Sequence, residues 1–212
     1  MRRQEIIMKV LMINGSPHKE GCTYTALREI EKELNKEGIE TEIVYIGTKP
    51  IRGCIGCGKC SNNRCVFNDD IANEILEKSE QADAYIFGSP VHYAAASGSL
   101  TSLLDRFFYA GRHHDHKPGA AIVSCRRGGS TAALDQLNKY FTIKNMPVVS
   151  GQYWNMVHGT NPEQVKLDLE GMQTMRSIGK NMAWLLKCIS YGKDNGINKP
   201  VLEQKIATNF IR

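Results

Sequence analysis

Four short apolar runs and one alternating strand pattern, each followed by a stripe of apolar residues at helical spacing, constrain the fold of this chain more than any other feature. Strand one is read over Ile6–Ile13 and helix one over Thr23–Glu37, with Leu27, Ile30 and Leu34 on its inner face. Gly38 follows where a helix end favours glycine. Strand two covers Glu40–Ile46, and Asp69-Asp70 cap a second helix carrying Ile71, Ile75 and Leu76. Strand three covers Ala84–Gly88 and stops at Ser89-Pro90. Helix three shows a full stripe: Leu100, Leu103, Leu104, Phe107 and Phe108. Strand four covers Ala120–Cys125, and Ser130 caps a fourth helix with Leu134, Leu137 and Phe141. Strand five is placed at Pro147–Ser150, and one long helix runs from Pro162 to Ile189.

Strands alternating with helices form βαβ units, and these close into a parallel sheet with helices on both faces. Strand two alternates Thr41, Ile43 and Tyr45 with Glu40, Glu42 and Val44, whereas the short apolar strands suit burial on both sides. The expected organisation is one α/β domain over residues 1–189, a cysteine-rich insertion at 47–68 and a C-terminal extension at 190–212. In open sheets of this kind ligands bind beyond the carboxyl ends of the strands. The loops to watch are therefore His18–Thr23, Pro90–Gly98, Arg126–Ser130 and Gln152–Asn161.

The loop after strand one is the most telling. It runs Gly15-Ser-Pro-His-Lys-Glu-Gly-Cys-Thr23 into a helix start. Unpaired N–H groups and the helix dipole make such a turn a place to hold a phosphate. Two familiar motifs do not fit. A P-loop needs Gly-Lys-Ser/Thr after four intervening residues, whereas five separate Gly15 from Gly21 and Cys22 follows. The dinucleotide fingerprint GxGxxG is also missing from this loop.

With 212 residues, 42% of them apolar and 23% charged, the chain has a globular composition. Its net charge of +5 is dispersed, with no basic run of five or more, so a nucleic-acid surface is not expected. Met1–Glu5 lead into only a short apolar run, and no stretch of 18 apolar residues occurs. The expectation is a soluble, cytoplasmic protein with no membrane partner.

Seven cysteines are present, and four of them, Cys54, Cys57, Cys60 and Cys65, follow the pattern CxxCxxC-x4-C. An odd, clustered set argues against a disulfide scaffold. Four close thiolates among Gly53, Gly56 and Gly58 suit an iron–sulfur cluster or tetrahedral zinc, and free thiols in a structural loop are the alternative. His113, His114 and His116 beside Asp115 imitate a metal site but are expected on an exposed turn.

Taken together these segments resemble the NADPH-dependent FMN reductases of the flavodoxin-like superfamily. Gly15–Thr23 looks like that family's phosphate loop. Gly88-Ser-Pro-Val-His-Tyr93 with Leu104-Asp-Arg106 looks like its isoalloxazine loop and following helix. Arg126-Arg-Gly-Gly129 and Tyr153-Trp-Asn155 match its later loops, and Cys54–Cys65 is similar to the iron–sulfur flavoproteins. The resemblance implies a doubly wound five-stranded parallel sheet in the order 2-1-3-4-5. It implies FMN held by Ser16, His18, Gly21, Cys22 and Thr23 at the phosphate, and by Ser89, Pro90, Val91, His92, Tyr93, Arg126, Gly128, Gly129 and Trp154 around the ring. Cys54, Cys57, Cys60 and Cys65 would hold a 4Fe-4S cluster. His18 stands where the family often has arginine, and Cys22 where asparagine is usual.

The leading reading is an FMN-dependent NAD(P)H oxidoreductase passing electrons to a small acceptor such as a quinone, free flavin or nitro compound. The alternatives are an iron–sulfur flavoprotein fed by a ferredoxin-like donor, and a non-enzymatic, metal-bound redox-sensing module. A homodimer or homotetramer is also implied. No catalytic acid or base is assigned, because flavin hydride transfer requires none.

Overall fold

A computed structural model describes residues 8–208; Ile6 and Ile7, expected in strand one, lie outside the described residues, as do 209–212. The strands are β1 (Lys9–Asn14), β2 (Glu40–Tyr45), β3 (Ala84–His92), β4 (Ala95–Ala96), β5 (Gly119–Cys125) and β6 (Met156–His158). The helices are α1 (Cys22–Lys36), α2 (Ala72–Glu80), α3 (Gly98–Ala110), α4 (Ser130–Ile143), α5 (Pro162–Leu167) and α6 (Leu169–Asp194). The sheet order is β2-β1-β3-β5-β6, with the two-residue β4 pairing antiparallel to β3. Taken alone, the parallel strands run 2-1-3-4-5, as expected.

Side chains alternate across a strand, so each central strand feeds two cores. Leu11, Ile13, Tyr85, Phe87, Ala121 and Val123 face one way and meet the Leu100–Phe108 stripe of α3. Val10, Met12, Ala84, Ile86, Ala120 and Ile122 face the other and meet Leu27, Ile30 and Leu34 of α1 with Met175, Ile178 and Met182 of α6. The α1–α6 crossing is tight at Gly179, where an added Cβ would lie 2.8 Å from the Glu33 Cβ. Among the described residues no helix is long and apolar enough to cross a membrane.

The fold differs from the sequence reading at several elements. β3 does not stop at Pro90 but runs on to His92. Its last pair with β1 is Asn14↔Gly88, whereas its pairing with β5 continues to Pro90↔Ser124. The proline thus lies past the end of β1, where its missing N–H breaks no ladder. The helix expected over Pro162–Ile189 is two helices. Asp168 stands between them, caps α6 by accepting from Gly171 N at 2.9 Å, and also accepts from His158 N at 2.7 Å. α4 is capped by Gly129 in the left-handed region, φ 88°, and Ser130 is its first residue. His114 is not on an exposed turn: it is buried against Phe107 at 4.7 Å, and burial lowers its pKa to about 4.

The fifth parallel strand is Met156–His158, not Pro147–Ser150, of which Val148 keeps an isolated parallel bridge to Gly119. Between the two pieces the chain leaves the sheet, and the Asn155 side chain fills the gap. Its Nδ2 donates to Ala121 O at 3.1 Å and Val149 O at 3.2 Å, while its Oδ1 accepts from Gly151 N at 2.9 Å. One amide replaces the missing strand. Asn155→Ala is expected to cost about 2–3 kcal/mol, because buried backbone groups lose their partners. Urea unfolding should show a lower midpoint with an unchanged slope; a midpoint equal to wild type would contradict this role.

Candidate functional site

The phosphate-like loop is built by local hydrogen bonds before any ligand is considered. Asn14, buried at the end of β1, accepts from Ser16 N at 3.1 Å through Oδ1 and donates to Lys19 O at 2.9 Å through Nδ2. The Ser16 hydroxyl accepts from His18 N at 3.1 Å. Gly15 N donates to Gly88 O at 2.8 Å, and the Ser97 hydroxyl donates to Gly15 O at 2.7 Å. A Cβ at Gly15 would meet Leu100 Cβ at 2.8 Å, so only glycine lets the loop approach β3 and α3 this closely.

α1 then starts at Cys22 with Gly21 as N-cap, no side-chain cap and no acidic residue in its first turn. The N–H groups of Cys22, Thr23 and Tyr24 therefore have no acceptor within the helix. α4 starts in the same way, from Gly129, with no side-chain cap and no acid in its first turn. By contrast Ser97, Asn161 and Asp168 cap α3, α5 and α6 with their side chains. α2 also lacks a side-chain cap but carries Glu74 in its first turn, so the helices left with neither cap nor acid are α1 and α4, which follow β1 and β5 at the carboxyl edge of the sheet. Both present donors and a positive dipole end to that edge.

Several expected ligands turn out to have partners within the protein. The Thr23 hydroxyl is buried 2.8 Å from the Ser124 hydroxyl and couples α1 to β5, which leaves Thr23 its backbone N–H for a ligand. The Cys22 thiol turns to Gly159 O at 3.7 Å, and burial raises its pKa. Ser89 Oγ donates to Pro90 O and accepts from Ser97 N, both at 2.8 Å. Ser16 is buried, whereas His18 and Lys19 are exposed beside the loop.

β3 and β4 form a hairpin whose two turn residues, Tyr93 (φ 51°) and Ala94 (φ 59°), both lie in the left-handed region. Neither is glycine, so the turn stores backbone strain, which proteins keep mainly at functional places. Val91 and His92 are its strand residues, and the Tyr93 side chain is fully exposed at the tip. The hairpin rests on Gly129, where a Cβ would come 2.7 Å from Ala94 Cα. Pro90–Tyr93 and Arg126–Gly129 are thus brought together, with Arg126, Arg127 and Gly128 on the surface. Trp154 is half exposed and packs on Tyr153, ring centroids 5.0 Å apart.

The cysteine segment is anchored on both flanks, at Arg52 and at Cys65–Phe67. Cys65 N donates to Asn73 Oδ1 at 2.8 Å, and Asn73 Nδ2 donates to Cys65 O at 3.0 Å and Phe67 O at 2.9 Å. Arg106, fully buried on α3, donates from Nε to Cys65 Sγ at 3.3 Å. Its Nη1 donates to Arg52 O at 3.1 Å and pairs with Asp70, and its Nη2 donates to Phe67 O at 3.0 Å. Cys54 and Cys57 are exposed, and Gly56 and Gly58 beside them have φ of 64° and 66°. Cys54 Sγ accepts from Gly56 N at 3.5 Å.

Burial raises the Cys60 pKa, and the neighbouring thiols of Cys65, Cys57 and Cys54 raise it further. Among the described residues no three Cys, His, Asp or Glu side chains are gathered closely enough to hold a metal ion. The donor set suits an iron–sulfur cluster in kind: four thiols, left-handed glycines between them, and N–H donors already aimed at two of the sulfurs.

Sequence reasoning missed Asn14, Asn73 and the contact of Arg106 with Cys65. The signal for Arg106 was a lone cation between Leu104 and Phe107 in an otherwise apolar stripe.

Residues 8–161 match the family described as NADPH-dependent FMN reductase. An iron-sulfur flavoprotein of Methanocaldococcus jannaschii is 36% identical over 192 residues, covering 86% of this chain and 99% of the relative. One of Archaeoglobus fulgidus is 31% identical over 210 residues, covering 97% of this chain and 99% of the relative. The crystal structure of RosB, with a bound 8-demethyl-8-formylriboflavin-5'-phosphate intermediate, superposes with a TM-score of 0.69 at 14% identity, covering 97% of this chain and 94% of that one. The family match over residues 8–161 and the identities of 36% and 31% over most of the chain lead to one conclusion: this chain belongs to the NADPH-dependent FMN reductase family, and these two relatives are iron-sulfur flavoproteins.

Proposed function

We propose that this protein is an FMN-binding oxidoreductase whose cysteine loop holds a 4Fe-4S cluster. In this reading it accepts electrons from a ferredoxin-like donor and delivers them to a small acceptor: a quinone, a free flavin or a nitro compound. The observation that carries the flavin site is the pair of helix starts at the carboxyl edge with neither a side-chain cap nor an acid in the first turn, in a chain whose α3, α5 and α6 are side-chain capped and whose α2 has Glu74 there.

The N–H groups of Cys22, Thr23 and Tyr24 would hold the phosphate, with exposed His18 and Lys19 adding positive charge. The Pro90–Tyr93 hairpin and Arg126–Gly129 would border the ring, and the start of α4 would favour negative charge there. Bound FMN supplies hydride and one-electron chemistry, and the protein supplies placement and charge. The cysteine loop would serve as the one-electron entry, anchored to α3 through Arg106. Its support is the donor set and the name carried by the relatives.

A second reading, direct reduction by NAD(P)H, is favoured by the exposed Arg126-Arg127 pair beside the site, placed to meet a phosphate-bearing nicotinamide. Assembly as a homodimer or homotetramer belongs to the proposal as well.

Protein reconstituted anaerobically with FMN, iron and sulfide should bind about four iron atoms per chain. Stopped-flow mixing should show flavin reduction by reduced ferredoxin faster than by NADPH or NADH. Faster reduction by NADPH would reverse the order of the two readings. Failure to retain flavin would refute both and leave the metal-bound sensing module.

A further inference from the structure

We propose that Arg106 sets the reduction potential of the cluster by donating a charge-assisted hydrogen bond to the Cys65 sulfur. The inference rests on the cluster reading above and goes beyond it by assigning a role to a residue on α3, outside the cysteine motif.

The position of Arg106 is unusual for a cation. It lies in the apolar stripe of α3, between Leu104 and Phe107, with a side chain only 1% exposed. Every face of its guanidinium is used. Nη1 and Nη2 hold the carbonyls of Arg52 and Phe67, on either side of the cysteine motif. Asp70 pairs with Nη1 and is itself shared, accepting from Arg52 N and Ala72 N at 3.1 Å each. One carboxylate spread over three donors leaves the guanidinium a residual positive field toward its remaining neighbour. That neighbour is Cys65 Sγ, reached by Nε at 3.3 Å.

This last contact is not needed to place Cys65. Asn73 already holds both the N–H and the carbonyl of Cys65. The backbone is fixed by one residue and the sulfur is contacted by another, so the two tasks are separable. A hydrogen bond to a ligating sulfur, made by a buried cation, stabilises the more negative, reduced state of an iron–sulfur centre and raises its potential. Arg106 is a positioning residue in this sense: it acts on the cluster through Cys65. Lysine cannot reproduce the arrangement, because it lacks the planar fork that reaches sulfur, two carbonyls and a carboxylate at once.

The test compares wild type, Arg106→Gln and Arg106→Lys as FMN- and iron-loaded full chains, by anaerobic redox titration followed by EPR and visible absorbance. Asn73→Ala serves as the control that loosens the Cys65 backbone without touching its sulfur. Arg106→Gln should hold near wild-type iron and shift the cluster's one-electron equilibrium against reduction about tenfold, about 59 mV. Arg106→Lys should shift it less, the flavin couple should stay in place, and Asn73→Ala should lose iron rather than move the potential. Wild-type potentials in both Arg106 variants overturn the assignment. Should the glutamine variant fail to load iron, the lysine variant decides, and a wild-type potential there overturns it too. Wild type without iron refutes the cluster reading itself, a result distinct from an iron-loaded variant whose potential has not moved.

Discussion

Asp70→Ala is expected to cost about 3–5 kcal/mol of folding stability, because it strands the Arg106 guanidinium in the core without its carboxylate. The Arg106 and Asp70 side chains are 1% and 5% exposed, so water cannot take over the lost charge. For a domain of this size the melting temperature should fall by about 6–20 °C.

The pair also predicts the acid limb of the stability profile. Burial pushes the Asp70 carboxyl up, but hydrogen bonds from Arg106, Ala72 N and Arg52 N, and the Arg106 charge, outweigh it and leave the pKa below the ordinary aspartate value. A carboxyl with a lowered folded pKa stabilises the fold fully above its unfolded pKa, about 3.9, and loses that contribution as pH falls through the lower folded value. Wild type should therefore lose stability steeply below about pH 4, and Asp70→Ala should show a shallower acid slope on a lower plateau. Equal acid slopes in the two proteins would remove Asp70 from this account.

Tyr24→Glu is expected to raise stability and lower flavin affinity at once. Tyr24 is the third residue of α1, whose first turn carries no acid. A carboxylate there complements the helix dipole and should add about 0.3–1 kcal/mol. It also occupies the positive end proposed to hold the phosphate and repels a dianion. FMN should bind roughly tenfold to a hundredfold more weakly, in keeping with charges interacting near a protein surface. Riboflavin, which lacks the phosphate, should bind as it does to wild type. Fluorescence titration with both ligands settles the matter: equal weakening of the two would take the phosphate away from α1.

The sheet and its helices were readable because their physics is local and periodic. The α3 stripe and the paired faces of β1, β3 and β5 are patterns of two and of about 3.6 residues, and both survive folding unchanged. The misplaced elements depend on contacts distant in sequence. Pro90 is tolerated in β3 only because β1 has already ended beside it. Asp168 breaks the last helix because His158 N and Gly171 N both need an acceptor there. Nothing near Asn155 announces that its amide will stand in for a strand. At the site, the loop leading into α1 was legible, since its glycines are a local signal, but the start of α4 was not, because Ser130 beside Gly129 reads as a cap and instead opens the helix. The inward turn of Thr23 toward Ser124, 101 residues away, was not. Arg106 illustrates the same limit: its partners Arg52, Cys65, Phe67 and Asp70 lie 36 to 54 residues earlier in the chain.

The interrupted outer strand has a consequence for how copies of this protein meet. A sheet edge with a long row of free N–H and carbonyl groups invites strand-by-strand growth and aggregation. Here the β6 edge offers three strand residues and then breaks where Asn155 fills the ladder from within. The opposite edge, β2, is guarded differently: Glu40 is exposed and Glu42 is tied to Lys9 and Lys78. Neither margin presents a flat apolar template, so neither edge of the sheet is a ready site for strand addition.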